Sequence, residues 1–114
     1  MNEKINLALR HAEKNYTDCK SLDGGEMKLA KHIGALHMLF DSFIFYGVAV
    51  SQVVEAITEL EEDSHLFEVL IEPHLRVVDD VDMIARQYTP MFVKYIAQIA
   101  QGMESKKAVE KLFA

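Results

Sequence analysis

Apolar residues recur along this chain at steps of three and four. The clearest run is Ile33, Leu36, Phe40, Phe43, Gly47, Val50, Val54 and Ile57, the spacing of one helix face. From Ile33 to Val54 the only acidic or basic side chains are Asp41 and His37. The rest of the fold is expected to assemble around this stretch.

The same pattern continues on both sides. Asn2 to Lys20 reads as an amphipathic helix with a loose stripe of Ile5, Leu7, Ala8, Ala12 and Tyr16. Ser21-Leu22-Asp23-Gly24-Gly25 breaks it. Asp23 with Glu26 three residues later fits a capping box. A second helix is expected from Glu26 to Tyr46, then a tight turn at Gly47–Ala49, since glycine commonly follows a helix end. A third helix should run from Val50 to Glu62. Asp63-Ser64 supplies cap-type residues for His65–Ile71.

Beyond Pro73, Leu75, Val78, Val81, Ile84 and Tyr88 keep helical spacing. Thr89-Pro90 reads as the next start, a capping hydroxyl before proline at the first helical position. Phe92, Ile96, Ile99 and Met103 form the face of that helix, Gly102 loosens its end, and Ser105–Phe113 closes the chain as a short helix. No sustained alternation of period two occurs, so no sheet is expected. The pattern predicts an all-α fold, a compact bundle of five or six helices forming a single domain over residues 1–114.

Length supports a real core, because a chain of 114 residues buries roughly two-thirds of its unfolded surface. The uncharged run Ser42–Val54 is too short to span a bilayer, so no membrane partner is expected. A single cysteine, Cys19, excludes an intrachain disulfide and fits a reducing compartment. With no apolar signal stretch at the N-terminus, a cytoplasmic location is expected.

Charge changes the picture more. The net charge is −6, and residues 51–72 hold seven acids with no Lys or Arg. A chain of this balance is a poor nucleic-acid binder, which depends on neutralising phosphates. A helix-turn-helix reading around Gly47 fails for the same reason: the helix that would enter the groove, Ser51–Glu62, has four Glu and no cation.

The candidate chemistry is therefore acidic. Glu55, Glu59, Glu61, Glu62, Glu68, Asp79 and Asp82 are expected to form a solvated face that engages a basic protein surface. Phe40, Phe43, Ile44, Gly47, Val50 and Val54 are the expected core or dimer face. The consecutive Phe43-Ile44-Phe45-Tyr46 exceeds what one small bundle covers, and uncovered apolar area marks interfaces. A homodimer is the expected assembly. Size and style suit an adaptor, accessory or inhibitory protein of a bacterium or phage, with no cofactor.

An alternative uses the same carboxylates. Glu61-Glu62 on one helix and Asp79-x-x-Asp82 on the next resemble the all-α nucleotide pyrophosphohydrolases, which hold Mg2+ with a Glu-Glu-x-x-Glu helix and a Glu-x-x-Asp helix. That resemblance implies Mg2+ held by Glu59, Glu62, Asp79 and Asp82. The chain departs from the pattern, with His65 in place of the third acid and Asp79 in place of the second helix's Glu. The five histidines give no paired spacing of the kind a di-iron bundle uses: Glu62-x-x-His65 occurs once. Cys19 stands beside Lys20, which would favour its thiolate slightly, but the spacing shows no Cys-His-Asp set to make it a nucleophile.

Overall fold

The computed structural model describes residues 2–17 and 27–113. Among them the elements are α1 (Glu3–Thr17), α2 (Met27–Tyr46), α3 (Val53–Thr58), α4 (His65–Leu70), α5 (Val81–Arg86), α6 (Tyr88–Ala100) and α7 (Ser105–Lys111). Short 3-10 turns at Val50–Gln52 and Glu72–Arg76 link them, and the described residues contain no strand. The fold is an all-helical bundle. The expected break at Ser21–Gly25, the Asp23–Glu26 cap and Cys19 lie outside the described residues.

α1 lies antiparallel along α2. Ile5, Ala8 and Ala12 are buried at helical spacing, and the two alanines let the helix axes approach. Leu7, expected on that stripe, is 41 % exposed, because it sits a residue away from the buried face. On α2, Ala35, Leu36, Leu39, Phe40 and Phe43 are fully buried. Phe40 and Phe43 join Phe92 and Tyr95 of α6 in an aromatic cluster, with Phe40–Phe92 centroids 5.1 Å apart and Phe43–Phe92 edge to face at 5.5 Å. Each such side chain contributes roughly 1.5–3 kcal/mol by burial alone, so this cluster centres the core.

Gly47 ends α2 as the sequence suggests. Its φ of 74° lies in the left-handed region. The Gly47 N–H donates to Ile44 O at 3.2 Å and the Val48 N–H to Phe43 O at 2.8 Å. This is a Schellman motif, with buried Val48 closing over buried Phe43. Gly102, φ 90°, ends α6 the same way through Met103 N–H to Gln98 O at 3.1 Å.

Three expected boundaries moved. The helix expected from Val50 to Glu62 is a 3-10 turn followed by α3, which stops at Thr58. Beyond it the chain turns so that Leu60 is buried, and the acids after it stay in water. The helix expected from Pro73 to Tyr88 is interrupted: residues 78–80 have no helical structure, and Asp80, extended at φ −155°, caps α5 by accepting the Asp82 N–H at 3.0 Å. Thr89 is not a cap. α6 already begins at Tyr88, whose buried hydroxyl donates to Leu70 O at 2.6 Å and draws the first turn inward. Pro90 then occupies the first turn, where its missing N–H costs nothing.

Candidate functional site

The acidic side chains fall on the short elements. Glu55 is on α3, Glu59, Glu61 and Glu62 on the turn after it, Glu68 on α4, Asp79 on the extended link and Asp82 on α5. All but Asp82 are exposed, and Asp82 is half-buried. Asp82 pairs with Arg86 Nε at 3.0 Å, and Glu68 lies 3.9 Å from His65 Nδ1. An exposed pair one helical turn apart contributes about 0.3–0.5 kcal/mol, so neither neutralises the flank.

The structure gathers these acids on one run of chain but not into a cation cage. Among the described residues no group of three or more His, Cys, Asp or Glu could hold a metal ion. Glu59, Glu62, Asp79 and Asp82 form no such group among the described residues.

The turn that carries the acids is fixed from outside. The first three N–H groups of α4 have no partner within the helix. Glu13 of α1 accepts two of them, from His65 at 2.7 Å and 3.1 Å through both carboxylate oxygens and from Leu66 at 3.3 Å. Ser64 Oγ accepts the third, from Phe67, at 3.1 Å. Beside this cap a groove of about 350 Å3 runs between α1 and the turn, with Arg10 and Lys14 on one wall and Glu59 and Glu61 on the other.

The expected apolar face divides in two. Phe40 and Phe43 belong wholly to the core and Val54 packs partly against it. Ile44, Gly47 and Val50 reach the surface. Phe45, a neighbour the spacing did not select, is 74 % exposed and Ile44 44 %. Phe45 packs edge to face on Tyr46 at 4.9 Å and lies 5.9 Å from the His11 ring, which hydrogen-bonds Ser42 Oγ at 3.2 Å.

Two other histidines of α2 face the C-terminal helix. His37 Nε2 is 2.9 Å from Ser105 Oγ, the first residue of α7. His32 meets the Phe113 ring edge to face at 5.3 Å, and the His74 ring at 6.5 Å. Burial lowers the pKa of both. For His32 the neighbouring His74 lowers it further; for His37, Asp41 and Glu104 pull the other way and Lys106 adds to the lowering. Burial also pushes the Tyr95 hydroxyl up to about 12, with Asp41 adding to the rise and Ser105 opposing it.

Compared with known families, curated proteins and solved structures, the chain matches none. Among the described residues no helix is long and apolar enough to cross a membrane.

Proposed function

We propose that this is a protein-binding module, an adaptor, accessory or inhibitory protein, whose acidic flank meets a basic partner surface and which acts as a homodimer. The observation that carries this reading is the exposure of Glu55, Glu59, Glu61, Glu62 and Glu68 along one stretch, residues 51–72, that lacks Lys and Arg, with exposed Asp79 beyond it. Such a flank speeds and orients encounter with a cationic surface more than it adds affinity. The exposed Phe45 and Ile44 supply the apolar surface that a second copy covers.

Two measurements test it. Light scattering should give twice the chain mass, falling to one chain in Phe45→Ser. Reversing Glu55, Glu62, Glu68 and Asp79 to Lys should abolish salt-sensitive capture of a basic partner while leaving the circular dichroism unchanged. Capture that survives both salt and charge reversal would remove the acidic flank from the account. Consumption of nucleoside triphosphates with Mg2+ would replace binding by hydrolysis.

A further inference from the structure

We propose that His32 and His37 form a two-point clasp that holds α7 on α2 and lets go on acidification. The two histidines stand five residues apart on α2 and grip the C-terminal helix near its two ends: His37 at Ser105, where α7 starts, and His32 at Phe113, two residues beyond its last turn. Between them α7 buries Ala108 and Val109, with Leu112 partly covered. The helix also packs against α6, and the link between the two is short. Residues 101–104 join it to α6, and Gly102 in the left-handed conformation sets its departure angle.

Both rings sit where a positive charge is disfavoured. Around His37 the charged or titratable groups are Asp41 on its own helix, Glu104 and Lys106 at the start of α7, and Tyr95 of α6, itself coupled to Asp41 and Ser105. Around His32 they are Lys31 on its own helix, Glu68 of α4, and Glu72, His74 and Arg76 of the turn that follows, which share a groove of about 490 Å3 or a ring contact with it. In each case loss of water dominates the balance.

The direction follows from linkage. A base whose folded pKa is lowered binds fewer protons folded than unfolded just below its ordinary value of 6.5. The closed state is therefore fully favoured above that value and loses ground as pH falls from 6.5 towards the lowered pKa. Freed from α7, His37 regains water, and His32 loses the Phe113 ring that covers it. Acid thus favours release of α7, which uncovers Ala108, Val109 and the apolar surface beneath them.

The test is amide exchange of the full chain at about pH 7.5 and about pH 5.5, corrected for intrinsic chemistry. One proton per histidine allows at most about tenfold per pH unit below the ordinary pKa, so protection over 105–113 should fall by about five- to a hundredfold. Protection of α1 should fall far less. The double variant His32→Gln, His37→Gln should lose this selective drop. A fall in α7 no larger than in α1, or an undiminished drop in the double variant, overturns the clasp. Should the double variant fail to fold, ring titration of the unaltered chain decides: a midpoint at or above the ordinary value for either histidine refutes it.

Discussion

Replacing Glu13 probes how the acidic turn is held. Its carboxylate closes two N–H groups of α4 from a helix 52 residues earlier in the chain. A hydrogen bond to a charged group contributes about 1.5–3 kcal/mol net when its partner is buried. Here the site is only half-buried, so water recovers part of the loss, and Glu13→Ala should cost about 2 kcal/mol. Glu13→Gln keeps one acceptor oxygen without the charge and should cost about 1 kcal/mol. Ser64→Ala removes the third acceptor and should cost about 1 kcal/mol. Because Glu13 and Ser64 serve adjacent N–H groups of one helix end, the double variant should depart from the sum of the two singles. In a urea titration with a slope near 1.5 kcal/mol per molar, Glu13→Ala lowers the midpoint by about 1.3 M. A midpoint within about 0.3 M of the unaltered chain, with an unchanged slope, would refute the view that α1 fixes the start of α4.

Three further outcomes are expected. Gly34→Ala should stabilise by about 0.5–1 kcal/mol by calorimetry, because glycine inside a helix is costly and the added methyl meets Tyr16 at an ordinary 3.6 Å. Gly47→Ala should destabilise by about 1–2 kcal/mol although its surroundings are open, since the cost lies wholly in the left-handed φ of 74°; an unchanged melting temperature would contradict this. Burial raises the hydroxyl pKa of Tyr88 and Tyr95 above the ordinary 10.0. The folded form therefore holds these protons more tightly, and the associated stability is complete below pH 10.0 and declines above it. Absorbance at alkaline pH should show two of the four tyrosines ionising only as the chain unfolds.

Where a signal was local, the sequence carried it. Gly47 and Gly102 end helices by backbone geometry that their own neighbours complete, and Ser64 caps α4 three residues away. The alternating steps from Ile33 to Ile57 identified Phe40, Phe43 and Ile57 as buried positions. Misreadings arose where a distant partner decided the local form. Thr89-Pro90 has the composition of a helix start, yet the tie from Tyr88 to Leu70 began the helix a residue before it. The Pro73–Tyr88 periodicity is genuine at Leu75, Val78, Val81 and Ile84, but the cap-forming Asp80 interrupts it. The acidic run was visible as composition, whereas the helix start beside it is fixed by Glu13 from 52 residues away. The pairing of His37 with Ser105 spans 68 residues and left no trace in spacing.

The side chains that shape the acidic turn are not the ones that colour it. Glu13 and Ser64 tie down main chain at its edge, while Glu55, Glu59, Glu61, Glu62 and Asp79 stand exposed. Mutation can therefore repaint this flank, from anionic to neutral or mixed, while its contour stays fixed. A scaffold built this way can change the charge it presents by single surface substitutions, without re-solving how it folds.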